Sequence, residues 1–296
     1  MSAKFFMPFA IAATVTFAVP AAAQDAQVLP PSTGSVTSTA AEFDLDRNSI
    51  TVGAAGVYLT DYEGSNDYRW TPAPAAIGSI NGFSFTLAGN RLSVDLIPNQ
   101  PGPTWDIQAG PLGVVNFNRN NIKTIDDPRV RALGEVDTAI ELGGYVGIGK
   151  TGVITSPYDK LSVTVSYRHD VANAHDSGIW QPSVNYITPL STKAAVALFA
   201  SAERAGRGYA TTYFSVSPTQ TIASGLPTFN ARGGWKNYAL GGVATYSLTG
   251  NLLKGFKLVA GGTYRRMLND FADSPVVSIA GSKNQWLGAV GLAYTF

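Results

Sequence analysis

The sequence has no cysteine among its 296 residues, which excludes disulfides, thiolate metal sites, cysteine nucleophiles and a lipidated N-terminal cysteine. Charged residues are also scarce, at 14% of the chain against about a quarter in an ordinary soluble domain. The mean hydropathy is nevertheless only +0.06, far below that of a helical membrane protein. This composition fits a structure in which every second residue faces lipid and the others face water, as in a transmembrane β-barrel.

Long hydrophobic runs are missing except at the N-terminus, where Lys4 precedes twenty uncharged positions, Phe5 to Gln24. We interpret residues 1–23 as a secretory signal peptide, because Pro20 breaks a helix and Ala21 to Ala23 suit a cleavage site; an uncleaved anchor is the alternative. Without Lys4, 20 basic residues balance 20 acidic ones, which argues against nucleic acid as a partner.

Residues 24–48 are rich in Ser, Thr, Pro, Ala and Gln and show no periodicity, so we interpret them as a disordered periplasmic tail. From residue 49 to the end, apolar and polar residues alternate with a period of two, which predicts strands. In Leu161 to Arg168, for example, every odd-numbered residue is apolar or aromatic and every even-numbered residue is polar. Twelve such segments predict an all-β, antiparallel transmembrane barrel of about 12 strands, within a range of 10 to 14, closed by the C-terminal strand.

The connections between these segments alternate between long and short. This is expected when the first and the last strand of the barrel both have their free ends in the periplasm. The long, polar ones include residues 118–134, 205–232 and 269–282, whereas the connection Gly89-Asn90 is short where a long one is expected. A soluble β-sandwich would also alternate, but its outward face should be charged. Here Tyr, Trp and Phe lie on the apolar face near the strand ends, which favours the barrel.

The last predicted strand ends the chain on an aromatic residue. One face of it carries an apolar stripe that we interpret as the signal for the outer-membrane assembly machinery. The stripe consists of Trp286, Val290, Leu292, Tyr294 and Phe296.

Several blocks from Ile50 to Phe296, taken in order, resemble the MipA/OmpV family of MltA-interacting outer-membrane proteins. The blocks are residues 61–68 with Pro72 and Pro74, 213–217, 223–226, 233–235, 268–277, 281–282 and 284–285. The resemblance implies a barrel in the bacterial outer membrane, in contact with its lipid. It also implies a scaffold that joins a lytic transglycosylase to a peptidoglycan synthase. Residues 24–48 lie outside the family pattern.

Two motifs suggest chemistry that their context does not support. Gly144 to Thr151 matches the Walker A pattern, but its glycines fall inside a predicted strand and no helix can begin at Gly152 to Pro157.

His169 and His175 are the only histidines and could serve a surface hydrolase, although no nucleophile stands out beside them. We therefore expect no enzyme activity, no cofactor and no metal site, and interpret both histidines as loop residues beside a carboxylate.

Nine charged residues fall on the polar face and are predicted to point into the lumen. They are Arg91, Asp95, Asp106, Asp137, Glu141, Arg168, Lys236, Lys257 and Arg265. Two interpretations remain open: the charges pair across a plugged interior, or they line a passage for small solutes. The near balance of signs favours pairing. The expected function is therefore a scaffold for cell-envelope machinery, with a small-solute channel as the alternative.

Two loops offer smaller hypotheses. Ser217-Pro218-Thr219-Gln220 has the residues of a capping box, which predicts either a short helix over the barrel mouth or a simple stabilising turn. Asp61 to Tyr68 is acidic and aromatic; we interpret it as a tight outer turn with Tyr62 and Tyr68 at the headgroup level, with cation or glycan contact as the alternative.

Overall fold

The computed structural model describes residues 49–80, 82–98 and 105–296, which form twelve antiparallel strands closed into one barrel. The strands are β1 (Ser49–Thr60), β2 (Tyr68–Ile80), β3 (Phe83–Ala88), β4 (Arg91–Asp95), β5 (Trp105–Asn116), β6 (Ala139–Thr151), β7 (Lys160–Asp170), β8 (Gly178–Pro189), β9 (Ala194–Ala205), β10 (Gly234–Ser247), β11 (Gly255–Met267) and β12 (Asn284–Thr295). Each strand pairs with its neighbours in sequence, and β12 closes the barrel against β1. The predicted barrel and its strand number are confirmed. Residues 1–48, interpreted as signal peptide and tail, lie outside the described part.

The period of two in the sequence becomes two faces of the barrel wall. Along β7, Val163, Val165 and Tyr167 are 46%, 39% and 37% exposed on the outside, whereas the side chains of Ser162 and Thr164 are buried. Strands from all round the barrel expose large apolar side chains in the same way. An apolar outside in contact with a hydrocarbon layer is the defining feature of a transmembrane barrel.

The two barrel ends differ in the length of their connections. The end that holds Ser49 and Phe296 has the short turns, and the opposite end carries one 3₁₀ turn (Ile122–Thr124) and five short α-helices. These are α1 (Pro128–Arg131), α2 (Arg207–Phe214), α3 (Pro218–Ser224), α4 (Asn269–Asp273) and α5 (Pro275–Ser278). Since bacterial barrels keep short turns in the periplasm, we refer to the short-turn end as the inner end and to the helical end as the outer end. In the part of the chain that the structure describes, no helix is long and apolar enough to cross a membrane.

The shortest strands, β3 and β4, leave a step in the wall. They are joined at Gly89, whose φ of +56° favours glycine, and β2 pairs with β3 only from Ala75 inward. The outer half of β2, Tyr68 to Pro74, is therefore hydrogen-bonded to β1 but has no pairing to β3 in the described register. Proline has no N–H to leave unpaired at such an edge, which explains why β2 accommodates Pro72 and Pro74.

Candidate functional site: the closed outer end and the lumen

A chain of charged groups crosses the lumen close to the outer end. Arg168 on β7 pairs with Glu141 on β6 at 2.5 Å and with Glu203 on β9 at 2.8 Å. Lys236 on β10 then bridges Glu203 and Glu63, at 2.8 Å in each case. Together these five residues, which we call the ion-pair belt, connect four strands to the β1–β2 loop.

Glu63 is the point at which the belt meets the loops above it. Its carboxylate accepts a hydrogen bond from the Tyr209 hydroxyl on α2 at 2.6 Å, and the Nη1 of Arg265 lies 3.8 Å away. The Nζ of Lys236 also lies 4.5 Å from the centre of the Tyr209 ring, which is a cation–π geometry. Glu63 is only 2% exposed, so removing its charge would leave Lys236 with one counter-ion fewer inside the protein.

Above the belt, four outer loops pack into two apolar clusters that we call the cap. The first cluster joins α2 to α4 and α5. Its largest members are Tyr209, Tyr213, Phe214 and Phe271, none more than 1% exposed. The Phe214 and Phe271 rings meet edge to face with their centres 5.1 Å apart. A packed core of this kind leaves no open mouth above the belt in this part of the barrel.

The second cluster of the cap joins loops that are far apart in the chain. Its members are Tyr62, Ile125, Val130, Leu133, Val216, Leu226, Val276 and Ala280. The Tyr62 hydroxyl donates to the carbonyl oxygen of Ala280 at 2.7 Å, and burial raises the pKa of this tyrosine well above its ordinary value. Tyr62 is thus a core residue and not a headgroup anchor, because its loop folds inward over the lumen.

The predicted capping box in the β9–β10 loop forms and starts helix α3. The Ser217 side chain accepts from the backbone N–H of Gln220, and the Gln220 side chain accepts from the backbone N–H of Ser217 at 3.0 Å. The Gln220 amide also donates to the Leu133 carbonyl at 2.9 Å, which ties α3 to the β5–β6 loop. The helix alternative is therefore correct, and the helix is part of the cap.

A buried arginine holds the β5–β6 loop against α2. Arg119 donates to the carbonyl oxygens of Tyr213 at 3.0 Å and Gly134 at 3.3 Å. Burial lowers the pKa of Arg119 to about 10, since desolvation disfavours the charged form. The cap thus contains polar ties as well as apolar packing, and both act between different loops.

The two histidines differ sharply in their surroundings. The side chain of His175 is fully buried; its Nε2 lies 3.3 Å from Glu141 of the belt, and its ring packs against Tyr209 and Tyr213. His169 is half-buried, with Nδ1 2.9 Å from the carbonyl oxygen of Asp170. Across residues 49–80, 82–98 and 105–296, no three His, Asp or Glu side chains converge in a way that could hold a metal ion.

Eight of the nine charged residues predicted to face the lumen lie on the inner face of the wall. Glu141, Arg168 and Lys236 belong to the belt, and Arg265 approaches it. Lower in the barrel, Asp106 pairs with Lys160 at 2.8 Å. Asp95, Arg91 and Lys257 are also buried, each with 5% or less of its surface exposed.

The prediction for Asp137 is wrong. Strand β6 begins at Ala139 and not near residue 135, so Asp137 lies in the loop before the strand and is exposed. Sequence reasoning also missed Glu63, Glu203 and Lys160. Glu203 and Lys160 lie near strand ends, where the alternation is short, and Glu63 lies in a loop, where no alternation exists to place it.

The apolar stripe predicted on the last strand lies on the lipid face. Trp286, Val290, Leu292 and Phe296 are between 47% and 69% exposed, and the Tyr294 and Phe296 rings meet edge to face at 4.9 Å. The Walker A pattern Gly144 to Thr151 lies within β6, so its glycines belong to a strand as expected.

At the inner end, one turn between β6 and β7 is held in shape by a single carboxylate. Asp159 accepts hydrogen bonds from the backbone N–H groups of Val153, Ile154 and Thr155 and from the Tyr186 hydroxyl, at 2.5 to 2.8 Å. Burial raises the pKa of this carboxyl group, but the hydrogen bonds from Thr155, Val153 and Tyr186 outweigh it and hold the pKa well below its ordinary value. The ionised carboxylate thus fixes the turn.

We expect Asp159→Asn to loosen this turn at neutral pH. The amide loses one acceptor oxygen and places an NH₂ group against backbone donors, which should cost about 1–3 kcal/mol. Because the folded pKa lies below the ordinary value of 3.8, the carboxylate stabilises the protein above about pH 4 and this contribution is lost as the pH falls below that value. The difference in unfolding free energy between the two proteins in detergent should therefore be largest at pH 7 and smaller at pH 3; a difference that stays constant between these pH values would contradict the assignment.

Similarity to known proteins agrees with this geometry. Residues 52–296 match the family model described as MltA-interacting protein MipA. The chain belongs to the MipA family. The resemblance noted in the sequence is thereby confirmed over residues 52–296, and this member of the family is an outer-membrane β-barrel. No curated protein is similar enough to match the chain.

Solved barrels are similar to this MipA family member only in outline. An outer membrane channel from Pseudomonas putida F1 has a TM-score of 0.42 and 11% identity, covering 84% of this chain and 95% of its own. The CymD monoaromatic hydrocarbon channel has a TM-score of 0.37 and 11% identity, covering 84% and 88%. The outer-membrane OmpT of Vibrio cholerae has a TM-score of 0.36 and 8% identity, covering 84% and 97%. At this level the likenesses carry no argument about what the chain binds or transports.

Proposed function

We propose that this barrel is a non-enzymatic scaffold of the outer membrane that binds a peptidoglycan-modifying enzyme on its periplasmic side. The observation that carries the proposal is the closed outer end, where the cap lies on the ion-pair belt. A barrel closed in this way is poorly suited to exchange solutes, so its remaining accessible surface is the inner end. The family description, MltA-interacting protein, makes a lytic transglycosylase the first candidate partner. The resemblance noted in the sequence adds a peptidoglycan synthase as the second candidate.

The inner end offers a suitable surface for such a partner. The β6–β7 turn exposes Val153, Ile154 and Tyr158 at 40%, 66% and 51%, and Leu190 in the following turn is 65% exposed. These apolar side chains lie beyond the strand ends, and hydrogen bonds to Asp159 hold the backbone of Val153 and Ile154. Exposed apolar patches mark sites of protein–protein contact, and tyrosine is enriched at the energetic centre of such interfaces.

Crosslinking in cells tests the scaffold. A photo-reactive residue at position 158 of the full chain, where Tyr158 is 51% exposed beside Ile154, should capture a lytic transglycosylase, identified by mass spectrometry. Ile154→Asp should lower that recovery at least fivefold, because a charge would replace the buried contact. Ile222→Asp is the matched control, since Ile222 is 88% exposed on α3 at the opposite end. Capture of no peptidoglycan enzyme, or equal loss in the two variants, would contradict the proposal.

A small-solute channel is the second candidate, and buried polar atoms of the lumen wall favour it. Within the described residues, the Nε and Nη2 of Arg91 and both amide atoms of Asn185 are buried without a hydrogen-bond partner from the protein. Such groups need water, which indicates a hydrated lumen. Current steps of the unmodified protein in planar bilayers would support the channel, and their absence would support the scaffold.

The absence of enzyme activity is also part of the proposal. His175 lacks access to solvent, because its ring lies between the belt and the Tyr209 and Tyr213 rings. A general base must reach the proton that it abstracts, and a fully enclosed imidazole cannot reach a substrate outside the cap. Replacing both His169 and His175 in folded protein should leave partner capture unchanged.

A further inference from the structure

The inner half of the lumen contains a cavity that none of the groups above uses. Its volume is about 160 Å³, and it lies against the inner faces of β10, β11, β12, β1 and β2. Small or aliphatic side chains form most of its wall, including Ala55, Ala75, Val243, Val259 and Ala293. Lys257 is the one charged residue among the lining side chains.

The apolar character of this wall is unusual for its position. The lumen face of a transmembrane barrel is ordinarily polar, and β7 and β8 follow that rule with Ser162, Thr164, Gln181 and Asn185. The wall from β10 round to β2 instead presents hydrocarbon to the interior. A concave apolar surface with a few polar groups is the usual form of a small-molecule site.

Lys257 differs from the other buried lysines in lacking a carboxylate. Lys160 and Lys236 each have a carboxylate oxygen within 2.8 Å, whereas Lys257 is 3% exposed as a residue and its ammonium donates to the Thr295 hydroxyl. Among the described residues no carboxylate oxygen lies within 4.0 Å of it. A buried cation without a counter-ion is costly, so an anion that reached this site would be stabilised.

The position of Lys257 sets the direction from which a ligand would arrive. It is the third residue of β11, and Thr295 is the last residue of β12, so both lie at the inner end. The belt and the cap close the opposite end. A ligand entering from the periplasmic side would therefore keep its charged group near Lys257 and insert its apolar part toward Val243 and Ala289, which also line the cavity.

We propose that this cavity binds a small anionic amphiphile, which consists of one aromatic ring or about six carbons joined to a carboxylate, with Lys257 as its counter-ion. The size follows from the volume, since an apolar cavity of roughly 150 Å³ in another protein accommodates benzene. This site is independent of the scaffold surface, because the two use different residues.

Thiol protection measures binding directly, because the chain has no cysteine of its own. Ala289→Cys places one thiol in the cavity wall of the full chain, held in nanodiscs of uncharged lipid. Saturating benzoate should slow maleimide labelling of this thiol at least fivefold. Lys257→Met should weaken benzoate protection about tenfold and leave protection by benzyl alcohol, the neutral isostere, within twofold. Folding of each variant is checked by its faster migration on an unheated gel.

Two controls make the outcome decisive. Lys150→Met removes an exposed lysine at the inner end of β6 and should leave benzoate binding unchanged. Ala55→Leu fills the cavity and should abolish protection by both ligands. No protection by benzoate in folded protein, or an equal effect of Lys150→Met and Lys257→Met, overturns the proposal. If benzoate protects only after residues 24–48 are removed, that segment is the occupant and the proposal is likewise wrong.

Discussion

Replacing Glu63 with glutamine is expected to open the outer end of the barrel and to destabilise it by about 3 kcal/mol, the usual consequence of removing one partner of a buried ion pair. The amide keeps the shape of the side chain but no longer neutralises Lys236, which lies 2.8 Å away, or Arg265 at 3.8 Å. It also weakens the bond from the Tyr209 hydroxyl, which is made to a charged acceptor. The cap should therefore separate from the belt before the wall unfolds.

Two measurements separate these effects. The midpoint of urea unfolding in detergent reports the loss of stability, and conductance in planar bilayers reports the opening of the outer end. Glu135→Gln is the matched control, because Glu135 lies in an outer loop but is exposed, where single ion pairs contribute little. Glu63→Gln could lower the unfolding midpoint without producing any conductance in the bilayer. In that case the belt only stabilises the fold, and the apolar cap is what closes the outer end.

The wall of the barrel could be predicted from the sequence because its rule is local. A strand exposes alternate residues to opposite faces, so the apolar residues of β7 identify the lipid face without knowledge of any other strand. The same rule placed Arg168 and Lys257 inside. The rule failed at Asp137. Residues 135–137 alternate between polar and apolar as a strand does, but they belong to the loop before β6.

The cap could not be predicted because its contacts join distant parts of the chain. Tyr209 bonds to Glu63 across 146 positions, and Tyr62 bonds to Ala280 across 218. Short loops have no periodicity, so their sequences do not show which side chains turn inward. The capping box at Ser217 was an exception, since both of its hydrogen bonds lie within four residues and depend only on local backbone geometry.

The sequence also does not show where two backbones come into close contact. Gly143 on β6 is such a position. A Cβ atom at this position would lie 1.9 Å from the Tyr167 carbonyl oxygen and 2.7 Å from the Arg168 Cα. We expect Gly143→Ala to push β7 away from β6, to displace Arg168 from the belt, and to cost about 3 kcal/mol or more, or to prevent folding. The fraction of folded protein on an unheated gel, followed by urea unfolding, measures the effect.

Gly288 on β12 supplies the matched control, because a Cβ atom built there meets nothing within 4 Å. Both positions are strand glycines, so Gly288→Ala shares the gain in strand propensity and should leave stability unchanged or slightly raised. The difference in stability between the two alanine variants therefore measures the cost of the steric clash between Cβ of residue 143 and β7. Equal stability of the two alanine variants would mean that β6 and β7 can separate without penalty. The belt would then not depend on the tight contact between these strands, and the closed outer end would have to rest on the packing of the loops alone.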